Sequence, residues 1–427
     1  MEALFSTSIF QKEEEIVILL SMECDNFYMF RNFRLDFTYA RKVNYDISRF
    51  DSLFDGSHIR VRKNIIVMGG NSSGKTTLGK MLCLIYNYLI CRDNESSAGL
   101  KKCIYNHFKP AKFCVEFVIG TNAYRLTAEF DGEGLVHEKL SEAPVLKSYN
   151  IQALRNKLTK TKRAREYNRD KQPDGFNIGF QSYVLRIKKD DNIVEKWKKN
   201  ISFWFALSRY LRNPLGNTSG AEIDIPLISK ILPVIDNSVK AVIPLAPSTP
   251  SRKSQSKKQL NEAKEDTGLR KSYSIIFKNQ DVLTIPDGDL SRMGAERLSQ
   301  GTIEAISFSS ILSFLRSGKD NMVYVDECLA HMHSELEKYI IWLSFHMKSP
   351  GSQLIFTTHN VEVCDLNLPS HSFLFLKRTK DGFNEPIWAN SRFTKNDRNF
   401  KNYYENDYYG VLPDYSNLIS IVPEEGE

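Results

Sequence analysis

The stretch from Val61 to Gly79, VRKNIIVMGGNSSGKTTLG, constrains this chain more than any other. An apolar, β-prone run enters a glycine-rich bend, and a helical pattern then continues through LGKMLCLIYNYLI. Gly69-Gly70-Asn71-Ser72-Ser73-Gly74-Lys75-Thr76 fits the phosphate-binding pattern G-x-x-x-x-G-K-[ST]. Glycine permits the bends that turn successive backbone N–H groups toward a polyphosphate. The helix that follows aims the positive end of its dipole at the same anion. On this reading Gly69, Asn71, Ser72, Gly74 and Thr77 supply the cradle, Lys75 reaches the β- and γ-phosphates, and Thr76 ligates Mg²⁺. A strand–loop–helix unit that binds a nucleotide is the expectation.

Two further stretches belong with it. Met322 to Glu327, MVYVDE, is an apolar strand ending in two carboxylates. Asp326, where the strand leaves the core, suits Mg²⁺, and Glu327 suits the polarisation of an attacking water. LIFTTHN follows one strand later and leaves His359 at a strand end, where an imidazole can meet a γ-phosphate. Leu298-Ser299-Gln300-Gly301, within ERLSQGTIEAISFSSIL, puts a serine and a glycine at a helix start, where free N–H groups and a hydroxyl can bind phosphate. Alone, the tetrapeptide reads as an N-cap; upstream of an acidic strand end it is the mark of ATP-binding-cassette domains.

With 427 residues, 41% hydrophobic and 26% charged, the chain has the balance of a soluble globular protein of two or three lobes. No apolar run approaches the roughly 18 residues of a membrane span, which excludes transport through a membrane domain of its own. The opening MEALFSTSIFQKEEEIVILLSM places glutamates ahead of a short apolar run, the reverse of a secretory signal, so a cytoplasmic location is expected. Seven scattered cysteines without a Cys-x-x-Cys pair fit reduced thiols better than disulfides or a zinc ribbon.

The punctuation divides the chain into an N-terminal lobe (1–140), a basic and mainly helical insertion (141–245), a polar linker (246–271) and a C-terminal lobe (272–427). CDNFYMFRNFRLDFTYARKV alternates like a half-buried strand pair. FCVEFVIGTNAYRLTAEFDGEGLVHEKL reads as a three-stranded antiparallel meander. In the insertion, ISFWFALSRYLRN and LISKILPVIDNSVKAVI read as helical. Beyond the linker come a hairpin at SYSIIFKNQDVLTIP, a helix after Ser299, and then strand, helix and strand through QLIFTT, which implies a parallel α/β sheet. Between Lys147 and Leu215 seventeen Lys/Arg face six Asp/Glu, an excess of +11 that leaves the rest of the chain at −4. That region suits nucleic acid, DNA or tRNA, or an acidic partner, and equally a solvated basic face.

The combined motifs resemble the ABC-type ATPases, in particular the soluble branch of SMC, DNA-repair and overcoming-lysogenization-defect (OLD) proteins. The chain is more narrowly similar to the stand-alone ATPases, often labelled AAA-type, of bacterial anti-phage modules such as PARIS and Septu. That likeness rests on NFYMFRNFRLDF, on DECLAHMHSELEKYI with His333 after the acidic pair, and on the tail NYYENDYYGVLP. The resemblance implies an α/β, ABC-type P-loop NTPase head with an antiparallel β subdomain. It also implies ATP with Mg²⁺ as the ligands, and Lys75, Thr76, Asp326, Glu327 and His359 acting within one protomer. Ser299, Gln300 and Gly301 would cap the γ-phosphate held by the opposite protomer, so that a homodimer or higher oligomer sandwiches ATP. Cys328 to Met332 stand where the family's loop crosses between sites and lack its Ser-x-x-Asp form, and no switch glutamine is assigned, Gln152 and Gln181 lying in the insertion.

Two functions follow from the resemblance. One is an ATP-hydrolysing switch that senses an invader and controls a separate effector nuclease in antiviral defence. The other is an SMC-like ATPase of DNA repair or maintenance that grips DNA through the basic region. His331 and His333 beside the acidic pair raise a zinc site, for which a structural role at a helix start is the simpler account. Asp287-Gly288-Asp289 resembles half of a Toprim nuclease cluster but is sufficiently explained as a turn.

Overall fold

Every residue of the strand Asn64–Met68 is buried, yet Ile65 and Val67 join one core while Ile66 and Met68 join another. This is the period of two of an extended chain, and a run without polar relief is the signature of a parallel strand covered on both faces. In the computed structural model the strand lies inside a six-stranded sheet. The order is Phe203–Leu207, Met322–Asp326, Gln353–Thr357, Asn64–Met68, Phe373–Arg378, Asn384–Trp388. The first five run parallel and the last returns antiparallel as a hairpin. The structure describes residues 17–90, 94–171, 178–186, 197, 203–207, 224–245, 272–285, 297–316, 322–392 and 400–412.

On the Ile65 face the sheet shares a core with the helix Lys75–Leu89 through Leu78, Met81 and Ile85. Gly79 sets how closely that helix approaches, because a Cβ there would lie 2.6 Å from Cε1 of Tyr324 and would also strike the Phe205 ring. The same core includes a second, antiparallel sheet in the order Phe33–Asp36, Val17–Asp25, Ala111–Ile119, Asn122–Phe130, Leu135–Pro144, Ala164–Asn168. Its third, fourth and fifth strands are the meander that the sequence punctuation predicts. Tyr88, near the end of the helix, meets Phe113 and Phe130 of this sheet edge-on, with centroids 5.3 and 5.8 Å away.

The Ile66 face is covered by the helices Gln300–Arg316, through Phe308, Ile311 and Leu312, and Ser334–Met347, through Ile341 and Phe345. A third, smaller core joins Ile306 of the first of these helices to the helix Ile225–Ile235 and to a three-stranded antiparallel sheet, Val239–Pro244, Tyr273–Phe277 and Val282–Ile285.

Two segments read as helical contain strands. Within ISFWFALSRYLRN, Phe203–Leu207 forms the sheet edge, with Phe203 in register with Met322. A short apolar run has no period that separates a buried strand from a helix. Tertiary contacts decide: Phe203 packs 5.8 Å from Tyr86, and Phe205 packs 5.8 Å from Tyr324. In LISKILPVIDNSVKAVI the helix ends at Ile235, and Val239–Pro244 is a strand drawn onto Tyr273–Phe277. The expected linker 246–271, the Asp287-Gly288-Asp289 turn and Pro413 lie outside the described residues. No described helix is long and apolar enough to cross a membrane. The six described cysteines are free thiols, five of them buried.

Candidate active site

The phosphate loop leaves the C-terminal end of Asn64–Met68, between its two parallel neighbours, and runs directly into the helix at Lys75. Gly69 (φ 155) and Gly74 (φ 99) take conformations that favour glycine, and Ser72 joins them at φ 62. Space enforces the same choice: a Cβ on Gly69 would strike the Leu376 carbonyl and lie 2.7 Å from Ser73 Oγ, and one on Gly74 would strike the Asn384 side chain. Asn71 and Ser72 are exposed at the loop tip, and Thr77 is half-buried in the first helical turn. Ser73 Oγ is buried without a hydrogen-bond partner among the described residues.

Lys75 is almost wholly buried, and its ammonium donates to the carbonyls of Gly69 (3.0 Å) and Gly70 (3.4 Å). It also lies 3.4 Å from Glu327 Oε1 and 3.0 Å from His359 Nε2. Burial lowers its pKa, opposed by the nearby Glu327 and Asp326 carboxylates. Thr76 Oγ1 donates to Asp326 Oδ2 at 2.6 Å, and Thr357 Oγ1 donates to Asp326 Oδ1 at 2.7 Å. Burial raises the Asp326 carboxyl against the pull of these two hydroxyls. Glu327 sits at φ 50, an uncommon conformation for a residue with a side chain. Its N–H donates to Thr357 Oγ1 (3.1 Å), and its carboxylate lies 2.8 Å from His359 Nε2. That imidazole, outweighing burial and aided by Lys75, holds Glu327 below the usual carboxylate range.

Lys75, Thr76, Asp326, Glu327 and His359, separated by up to 284 residues in sequence, thus form one cluster. The hydroxyl–carboxylate pair of Thr76 and Asp326 is a donor set suited to a hard oxygen-seeking cation such as Mg²⁺, which keeps most of its water. The glycine-lined loop, with its unpartnered Ser73 hydroxyl, suits a phosphate chain.

Ser299, Gln300 and Gly301 lie elsewhere. Ser299 Oγ accepts from Thr302 N–H at 3.1 Å and pairs with the Thr302 hydroxyl at 2.6 Å, which in turn donates to Asp236 Oδ2 at 2.6 Å. Ser299 and Gln300 are exposed, and the tripeptide makes no hydrogen bond to the Lys75 cluster among the described residues. Gly301 backs onto the His331 carbonyl, 3.1 Å from where a Cβ would stand. His331 Nδ1 lies 2.5 Å from buried Glu304, and His333 Nδ1 accepts from Glu335 N–H as the cap of Ser334–Met347. No group of three or more His, Cys, Asp or Glu that could hold a metal occurs among the described residues. Gln152 is on an exposed helix face bonded to Asn156.

Four contributors carried no sequence signal that we recognised: Thr357, Asn384, the Val411 carbonyl, which accepts from Gly70 N–H at 3.2 Å, and Tyr324, whose hydroxyl donates to the Lys75 carbonyl at 2.5 Å.

A phosphate loop at the end of a central parallel strand, faced by an acidic strand end two strands away, defines a P-loop nucleotide-binding head. The chain belongs to the AAA family described as "AAA domain, putative AbiEii toxin, Type IV TA system", whose model matches residues 65–365. No curated protein matches it. Among solved structures it is similar to the SMC head domain from Thermotoga maritima, with 11% identity and a TM-score of 0.39, covering 86% of this chain and 98% of that one. The Smc head with an extended coiled coil bound to the C-terminal domain of ScpA, from Pyrococcus furiosus, gives 11%, 0.41, 87% and 96% in the same order. The recombination mediator protein RecF gives 11%, 0.37, 88% and 99%.

Proposed function

We propose that this protein is an ATP-hydrolysing, ABC-type switch whose active sites form between two copies of the chain. The observation that carries the reading is a division of parts. The cluster of Lys75, Thr76, Asp326, Glu327 and His359 is assembled within one chain, while Ser299 and Gln300 are exposed and bond none of its members among the described residues. A helix N-terminus with free N–H groups is an anion site, and a γ-phosphate presented by a second copy is the ligand it suits.

In this scheme Lys75 exchanges its loop carbonyls for the β- and γ-phosphate oxygens, and backbone N–H groups of the loop other than those of Gly70 and Ser73, which donate to the Val411 and Gly70 carbonyls, orient the chain of phosphates. Thr76 and Asp326 would hold Mg²⁺, which would supply charge neutralisation to a bound phosphate chain. Glu327, kept ionised by its neighbours, accepts a proton from the attacking water. His359, whose Nε2 lies beside both Glu327 and Lys75, faces the γ-phosphate. Binding glues two heads together, and hydrolysis releases them. We assign the switch to anti-phage defence, with a separate effector nuclease as its output; the family's link to toxin–antitoxin systems supports that direction.

Complementation tests the shared site. Lys75→Ala and Ser299→Arg chains should each be inactive alone, and a mixture should regain activity, because one of its two composite sites is intact. Failure of the mixture to exceed either variant would overturn the scheme.

A second reading, direct contact with DNA or tRNA, is favoured by the exposure of Lys157, Lys160, Lys162 and Arg163 around the end of Ile151–Lys160. Salt-dependent binding to duplex DNA, abolished by charge reversal at Lys160, Lys162 and Arg163, would establish it. Binding that needs a second protein would count against it.

A further inference from the structure

Three contacts that shape the phosphate loop come from residues beyond the family match at 365. The Leu376 carbonyl abuts Gly69, the Asn384 side chain covers Gly74, and the Val411 carbonyl accepts from Gly70 N–H. The last contact has a support of its own. After the helix Phe400–Glu405 the chain reverses through Asp407 (φ 48) and Gly410 (φ 65). Asp407 Oδ1 accepts from both Val411 N–H (2.6 Å) and Leu412 N–H (2.9 Å).

Leu412 N–H and the Val411 carbonyl belong to one peptide group. That group is therefore suspended between a carboxylate on its N–H side and Gly70 N–H on its carbonyl side. An anionic acceptor polarises the peptide and makes its carbonyl a stronger acceptor, so the two bonds reinforce each other. The turn is fastened to the sheet. Tyr404 and Tyr409 stack on Phe375 at 5.7 and 4.1 Å, and Arg392 Nη1 donates to the Tyr408 carbonyl at 2.8 Å. Asp407 itself is exposed and touches no residue of the Lys75 cluster among the described residues.

We propose that Asp407 is a positioning residue for the phosphate loop: through the 411–412 peptide it fixes Gly70 and keeps the loop in its phosphate-binding shape. The inference rests on the nucleotide-binding reading above. A loop already held in its bound shape loses less conformational freedom on binding, so the effect falls on nucleotide affinity rather than on turnover.

Asp407→Gly keeps the positive φ accessible and removes the acceptor, while Asp407→Asn keeps the acceptor without the charge. The full chain carrying each change is compared with wild type for ATP hydrolysis, binding of a fluorescent ATP analogue, and amide hydrogen exchange. Asp407→Gly should raise Kd and KM about tenfold with kcat little changed. It should speed exchange in the phosphate-loop peptide but not in the Gln353–Thr357 strand, and Asp407→Asn should recover most of the affinity. Wild-type affinity and wild-type loop exchange in Asp407→Gly would overturn the proposal. So would faster exchange spread through Gln353–Thr357, which marks general loosening. A wild-type chain that binds no nucleotide would refute the nucleotide reading, and the exchange comparison would still decide the role of Asp407.

Discussion

Asp326 is 1% exposed and meets two threonine hydroxyls, one from the phosphate-loop helix and one from the neighbouring strand. Replacing Thr357 with valine keeps the shape and removes a donor, leaving Asp326 Oδ1 without that partner and the Glu327 N–H with only the Thr357 carbonyl, 3.3 Å away. Unfolding free energy should fall by about 1–3 kcal/mol, measured by urea titration, and Thr357→Ser should restore most of it. That Lys75, Thr76, Asp326 and Glu327 meet was legible in the sequence, because a glycine-rich loop before a helix and an acidic strand end are recognisable along the chain. Thr357 was not, since a threonine in LIFTT is simply β-prone. Its role exists only once Asp326 and Thr357 stand in register on adjacent strands. The Val411 carbonyl had no signal at all, because every residue carries one.

At the scale of elements, the helix Ile151–Lys160 is fastened to the antiparallel sheet by Arg155, which donates to Glu116 Oε2 and Asp36 Oδ2, each at 2.8 Å. Burial alone would raise both carboxyls; Arg155 instead holds them below their ordinary values of 4.5 and 3.8, with Arg125 helping at Glu116. The stabilisation is therefore complete above those values and is lost as pH falls through the lowered ones. Arg155→Met should cost about 3 kcal/mol at neutral pH. It should also flatten the decline in urea midpoint between neutral pH and roughly pH 3. Gly79→Ala tests the helix–sheet contact: the added methyl presses on Tyr324 and Phe205 and should destabilise by about 1–3 kcal/mol. Phe205→Ala opens a cavity of its own, so the double variant should lose less than the two single losses together. Amphipathic helices such as Ser334–Met347 and the meander strands were readable from their periods. Phe203–Leu207 was not, because five apolar residues fit either conformation and only the sheet edge selects one.

For the whole molecule, Glu327→Gln should bind ATP without releasing it and shift the mass measured by light scattering from monomer to dimer. Lys75→Ala should stay monomeric under the same conditions. A mutant dimer that forms equally without ATP would separate assembly from the nucleotide. The arrangement of the central sheet also bears on how the protein comes into being. Asn64–Met68 lies between Gln353–Thr357 and Phe373–Arg378, and the Gln353 side chain bonds the Leu19 backbone across 334 residues of chain. An apolar strand made early on the ribosome must therefore wait, both flanks uncovered, for partners translated much later. Topologies of this kind fold slowly, and newly made chains should depend on chaperones more than the finished protein's stability would indicate.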